Sequence, residues 1–123
     1  MRPEIRSALQ RGGIIDITTT GRKSGRPHRI EIAFHGLGGR VYISGMPGRR
    51  DWYANLLAKP DFTFHLKRGL KADLAARARP IQDPPERRQL LQSVTRSWGR
   101  EGQLEQFVAD SPLVEVTFPG GES

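Results

Sequence analysis

The stretch that decides the fold is "IIDITTTGRKSGRPHRIEIAFHGLGGRVYISG", Ile14 to Gly45. "IIDITTT" is rich in β-branched residues, which fit a pleated, half-buried surface. "HRIEIAF" alternates, with Ile30, Ile32 and Phe34 on one face and Arg29, Glu31 and Ala33 on the other. "HGLGGR" reads as a turn, and "VYISG" as the return strand of a hairpin. Three strands joined by short turns, with no intervening helix, predict antiparallel pairing.

The rest of the chain extends that pattern. Pro3 to Gln10 reads as a short helix stopped by Gly12-Gly13. "DWYANLLAK", Asp51 to Lys59, reads as a second helix with Asp51 as its cap and Pro60 as its stop. Trp52 and Leu56 share one of its faces, Tyr53 and Leu57 another. "DFTFHLK" is a strand with Phe62, Phe64 and Leu66 inward. The alanine-rich "LKADLAARAR" could be helical, but its period-2 set Leu70, Ala72, Leu74 and Ala76 favours a strand.

"DPPERRQLLQSVTRSW" is the clearest helix: Asp83 and Glu86 have capping-box spacing, and Leu90, Leu91, Val94 and Trp98 form one stripe. A further helical stretch near Leu104–Val108 precedes a closing strand, "LVEVTF", and a frayed tail, "PGGES". The expected class is mainly β with peripheral helices, an antiparallel barrel rather than a parallel doubly wound sheet. With 123 residues, no repeat and no linker, a single domain spanning 1–123 is expected.

The absence of cysteine excludes disulfides and thiolate chemistry. No apolar run approaches a membrane span, and "MRPEIRSALQRGG" lacks the apolar core of a signal peptide. A cytoplasmic protein with no stable membrane anchor is expected. The net charge of +7 is unevenly placed. Residues 1–60 carry 11 Lys+Arg against 4 Asp+Glu, whereas residues 61–123 carry 9 of each. Such a local field points to an anionic partner.

The histidines have no metal-ligand spacing, and His28 and His35, an odd number of residues apart on one strand, face opposite sides. A surface or half-buried setting is expected for them, with His28 distinguished because it borders the basic loop. No G-x-S-x-G elbow is present, and Asp16 and Glu31 read as solvated residues or ion-pair partners of arginines. No catalytic acid or base is assigned.

"GRKSG" is not a P-loop, yet it has the parts of an anion cradle. Gly21 and Gly25 allow positive φ, so that backbone N–H groups can converge. Ser24 adds a hydroxyl, Lys23 a point charge, and Arg22 and Arg26 forked contacts. His28 and Arg29 follow on the next strand. A second anion site is expected at "GRRDW", where Arg49 and Arg50 precede a helix N-terminus.

"TTTGRKSGRPHRIEIAF" followed by "VYISGMPGRRDWYANLLAKPDFTFHL" resembles the deazaflavin-dependent nitroreductase family. The matching positions are Thr19 to Pro27, Ser44-Gly45-Met46, and Trp52, Asn55, Leu56, Ala58 and Pro60, within a resemblance covering about residues 14–80. It implies the FMN-binding split-barrel architecture, a homodimer, and coenzyme F-420, whose phosphate and oligoglutamate tail are anionic. It also implies hydride transfer to a small hydrophobic acceptor of quinone-like, nitro or enone type. By the same resemblance Arg22, Lys23 and Ser24 hold tail or phosphate, while Ser44, Gly45 and Met46, with Arg50, Asp51, Trp52 and Tyr53, flank phosphate and ring. Two departures stand out. "SVTRSWGREGQLEQF" lacks the tyrosines that line the acceptor site in better-known nitroreductase members, Trp98 being its nearest aromatic, and "RPHRIEI" stands for the commoner "xPRxxPL".

The alternatives are a split barrel binding FMN or haem, a deazaflavin-binding protein without turnover, and a basic nucleic-acid-binding barrel. The last calls for exposed stacking aromatics among the cations. Phe34, Phe62 and Phe64 lie instead on apolar faces, so no nucleic-acid partner is expected.

Overall fold

The computed structural model describes residues 1–120. Along the chain, α1 (Pro3–Arg11) leads into β1 (Gly13–Thr20), β2 (Pro27–Leu37) and β3 (Arg40–Ser44). Then follow α2 (Asp51–Ala58), β4 (Asp61–Leu66), β5 (Ala72–Pro80), α3 (Pro84–Ser97), a 3-10 turn (Glu101–Gln103), α4 (Leu104–Asp110) and β6 (Leu113–Thr117). The six strands close a barrel in the order β1-β2-β3-β6-β5-β4, and every described pairing is antiparallel.

Alternation decides what lies inside. Ile15 and Ile17 of β1, Phe34 of β2, Ile43 of β3, Phe64 of β4 and Val114 of β6 meet in the barrel interior. Phe64 is the hub, edge-on to Phe34 and to Phe118 with centroids 5.2 Å apart in both cases. Burying a side chain of this size stabilises by about 1.5–3 kcal/mol. The alanine-rich segment is the strand its period-2 pattern predicts, with Ala76 and Ala78 inward. The other face of β3 and β6 presents Tyr42 and Leu113 to Leu91, Val94 and Phe107 of α3 and α4, a second apolar cluster.

Several local expectations are corrected. The β2–β3 turn is shorter than expected. β2 runs on to Leu37, which pairs with Arg40, and only Gly38-Gly39, with φ of 60° and 79°, make the reversal. Asp51 does not cap α2; Arg50 occupies that position without a side-chain cap, and Asp51 is the first helical residue. Asp83 does cap α3, accepting a hydrogen bond from the Glu86 amide. His65 is buried rather than superficial. It lies on the outer barrel face, 2.7 Å from Thr18 Oγ1 through Nε2 and 2.7 Å from Asp73 Oδ1 through Nδ1, tying β1, β4 and β5 together. That contact holds the Asp73 carboxyl below its ordinary range. The frayed tail expected after Phe118 lies partly outside the described residues.

Among the described residues, no helix is long and apolar enough to cross a membrane.

Candidate functional site

The β1–β2 loop and the first turn of α2, 30 residues apart in sequence, form one wall-to-wall contact. Asn55, buried on α2, is the joint: its Oδ1 accepts from the Arg22 amide at 3.1 Å and the Arg22 guanidinium at 2.9 Å. Its Nδ2 donates to Thr19 Oγ1 at 3.1 Å. Arg22 also reaches Asp51 Oδ1 at 3.3 Å. Asn55 therefore fixes the loop onto the helix, and its signal in the sequence was the W-x-x-N-L motif.

The backbone cradle expected of the loop is corrected by these bonds. The Gly21 amide donates to Arg26 O at 2.7 Å, Gly25 to Gly21 O at 2.9 Å, and Arg26 to Ser24 Oγ at 3.1 Å. Four loop amides, counting that of Arg22, thus serve the fold and are not aimed at a ligand. Gly25 does adopt positive φ, at 72°, whereas Gly21 does not. Gly21 is needed for close approach instead, since a Cβ there would sit 2.6 Å from His28 Nε2 and from Ser24 Oγ.

What the loop does offer is side-chain charge. Arg22, Lys23, Ser24, His28, Asp51 and Trp52 line a cavity of about 490 Å³, walled further by Thr19, Ile30 and Asn55. The side chains of Lys23 and Arg26 make no hydrogen bond or ion pair with any described residue, and Arg26 stands beside the cavity rather than lining it. The first-turn amides of α2 have no intrahelical acceptor and add positive potential at the same end.

On the other face of α2 lies a second cavity, of about 540 Å³, to which Arg49 and Tyr53 contribute. Trp52 and Tyr53, with rings 5.9 Å apart at 79°, separate the two. Deep in the second cavity is Arg87, a residue sequence reasoning left unremarked. Its guanidinium donates to the carbonyls of Ile81 (2.8 Å), Phe107 (3.2 Å), Val108 (2.9 Å) and Ser111 (2.7 Å). Burial pushes its pKa down, opposed by Tyr53 and Asp110. Arg87 sits at i, i+4 and i+7 spacing with Leu91 and Val94, so a cation in an apolar stripe was the available signal. Ser111, also lining this cavity, has a buried Oγ with no hydrogen-bond partner among the described residues.

The remaining expected site residues fall elsewhere. Arg29 points to the outer barrel face and binds Asp16 at 3.0 Å. Lys67 joins Asp16 at 2.7 Å, and the two cations together hold Asp16 below the usual carboxylate range, Lys67 contributing most. Ser44 is enclosed, at 1% exposure. Gly45 packs so closely that a Cβ would lie 3.2 Å from Pro112, and Met46 joins the outer apolar cluster. The Arg50 guanidinium is turned back onto the carbonyls of Arg49 (2.8 Å) and Pro47 (3.5 Å). "SGM" and Arg50 thus shape the connection into α2 and line neither cavity.

A closed six-stranded antiparallel barrel with flanking helices is the split-barrel fold. Its likeness to solved structures bears this out. A conserved hypothetical protein of Mycobacterium tuberculosis superposes with a TM-score of 0.77 at 16% identity, covering 96% of this chain and 81% of the other. A candidate pyridoxamine 5′-phosphate oxidase from Listeria innocua gives 0.70 at 12%, covering 94% and 90%. A structure described as an F420-H2 dependent reductase gives 0.65 at 22%, covering 85% and 93%. The family model described as F420H(2)-dependent quinone reductase matches residues 3–114. The chain belongs to that family.

Proposed function

We propose that this protein is a coenzyme F-420-dependent reductase that passes hydride to a quinone-like, nitro or enone acceptor. The observation that carries the reading, beside family membership, is the cavity between the Gly21–Arg26 loop and α2. It is lined by cations, one of them with no partner among the described residues, and has an aromatic wall. Those residues fit a ligand with a planar ring system and an anionic arm. Lys23 and His28, with Arg26 beside them, would hold the anionic arm by charge, and the first-turn amides of α2 would favour its phosphate. Trp52 would supply a flat apolar wall. The reduced deazaflavin, when bound, supplies the hydride from its C5. The acceptor has to touch C5 of the bound coenzyme to receive the hydride, so it would enter the same cavity, against the ring.

Trp98, the nearest aromatic in the tyrosine-free C-terminal segment, packs on His35 and Phe107 and lines neither of the two cavities. A single domain, a homodimer and a cytoplasmic location belong to the same reading, the homodimer on the strength of the sequence resemblance.

Titrating the purified protein with F-420, FMN and haem, then mixing the loaded protein with reduced coenzyme and a quinone panel, tests it. F-420 should bind, and its reduced form should be reoxidised only when protein and quinone are both present. Tight FMN or haem binding with none of the deazaflavin would overturn the proposal, and salt-dependent DNA binding alone would replace it with the nucleic-acid reading.

A further inference from the structure

We propose that Asn55 is a positioning residue for coenzyme binding: it fixes the Arg22 guanidinium at the cavity wall, so that Arg22 meets the coenzyme phosphate as a set of oriented donors rather than as a loose charge. The inference rests on the reductase reading for the identity of the ligand, and on the geometry of the loop–helix joint for the rest.

Asp51 and Asn55, four residues apart, lie on one face of α2. Both meet the same guanidinium. Arg22 Nη1 donates to Asn55 Oδ1 at 2.9 Å, and Nη2 donates to Asp51 Oδ1 at 3.3 Å. Asn55 is itself held in place. It is buried, its Oδ1 also accepts from the Arg22 amide at 3.1 Å, and its Nδ2 donates to the buried Thr19 hydroxyl at 3.1 Å. Arg22 offers only donors here, so these bonds dictate which way round the Asn55 carboxamide sits.

Two of the five guanidinium N–H groups are thereby engaged, and three remain, Nε–H among them, on a side chain that lines the cavity. Asp51 offsets the charge of Arg22, so the surplus charge at this wall comes from Lys23 and, beside it, Arg26. Arg22 contributes something different: a fork set before the ligand arrives, so that an anion binding to it need not freeze a long side chain. A fixed fork suits the compact oxygens of a phosphate, whereas the unpartnered Lys23 and Arg26 suit the carboxylates of a flexible tail.

The test is equilibrium binding of F-420, read by coenzyme fluorescence polarisation, to wild type, Asn55→Ala, Arg22→Ala and the double variant, each shown to be folded by circular dichroism. If Asn55 acts through Arg22, each single change should weaken binding about tenfold, and the double change no more than about twentyfold. Losses that multiply to about a hundredfold, as a direct contact from Asn55 or a general loosening of the loop would give, overturn the inference. So does either single variant that binds like wild type. The single-variant losses should be the same for a precursor that keeps the phosphate but lacks the glutamates, and losses confined to the full coenzyme also overturn the inference. Arg22→Lys covers the case in which Asn55→Ala does not fold, because it leaves the bonds of Asn55 to the residue 22 amide and to Thr19 in place. It keeps the charge and loses the fork, so it should bind about fivefold more weakly than wild type, and wild-type affinity overturns the inference. No binding of F-420 by wild type overturns the reductase reading and, with it, this inference.

Discussion

The two halves of the chain differ in how many of their cations are left without a partner. In the second half the guanidiniums mostly find partners within the protein. Arg77 meets Asp61 at 3.0 Å, Arg79 bridges Glu86 and Glu115, Arg88 meets Glu105, and Arg87 donates to four carbonyls. In the first half Arg22, Arg29 and Arg40 also meet carboxylates, but the side chains of Lys23, Arg26 and Arg49 have no hydrogen-bond or ion-pair partner among the described residues. This explains in physical terms why the first 60 residues carry all the net charge. Cations matched by local acceptors hold β5, β6, α3 and α4 together, whereas unmatched ones create a field that acts outward. Charge number alone would not separate the two roles; partner geometry does.

The strongest way to break that contrast is at Arg87. Replacing it by methionine keeps much of the volume but removes the donors to four carbonyls, at least three of them reached through buried contacts. Leaving such acceptors unsatisfied should lower unfolding stability by about 3–4 kcal/mol, read from urea denaturation. The exposed Arg77→Met should move the same midpoint very little, because exposed ion pairs contribute about 0–1 kcal/mol. Equal, small shifts for both variants would show that Arg87 is not holding the α3–α4–β6 junction.

The complementary change is in the loop. Lys23→Ala with Arg26→Ala removes unpaired charge and no hydrogen bond made by either side chain, so stability should be unchanged while F-420 affinity falls about tenfold. The loss should be much smaller for the tail-less precursor, and equal losses for both ligands would remove the tail from this loop. Arg22→Ala should behave differently, costing about 1 kcal/mol of stability because the guanidinium contacts to Asn55 and Asp51 are lost while the backbone amide contact to Asn55 remains.

The barrel was legible because its signals are local. Period-2 alternation in Arg29–Phe34 and Asp61–Leu66, glycine pairs at turns and the Asp83 cap each depend on a few neighbouring residues, and each reappears in the structure. The site was legible only as composition. "GRKSG" announced charge, but nothing in it shows that its amides would close on one another or that Arg22 would lock onto Asn55, 33 residues away. Ser44, Gly45 and Met46 read as ligand contacts because motif spacing does not reveal which side of a strand end is enclosed. Arg87 was missed because a cation among apolar stripe residues looks like the edge of a solvated face until α4 is folded over it.

The smallest effect separates His35 from the other acid-sensitive groups. His35 lies opposite Tyr42 on the outer side of β2, its ring tilted at 55° to that of Trp98 with centroids 5.4 Å apart, and its buried Nε2 has no hydrogen-bond partner among the described residues. Burial holds its pKa below the ordinary imidazole value of 6.5. The unfolded chain therefore binds a proton at His35 at pH values where the folded chain does not. Its contribution to stability is complete above about pH 6.5 and is lost as pH falls below it, with a slope no steeper than about 1.4 kcal/mol per pH unit for one proton. Asp16, Asp73 and Glu105, whose pKa values are lowered by their cationic or imidazole partners, begin to destabilise only below about pH 4. The two effects are thus separated by pH. His35→Phe keeps an aromatic ring against Trp98 and cannot be protonated, so its urea midpoint should fall less than that of wild type between about pH 7.5 and about pH 5. Identical falls would mean that the acid sensitivity in that window arises elsewhere, and that an unpartnered histidine can be buried here without linking folding to pH.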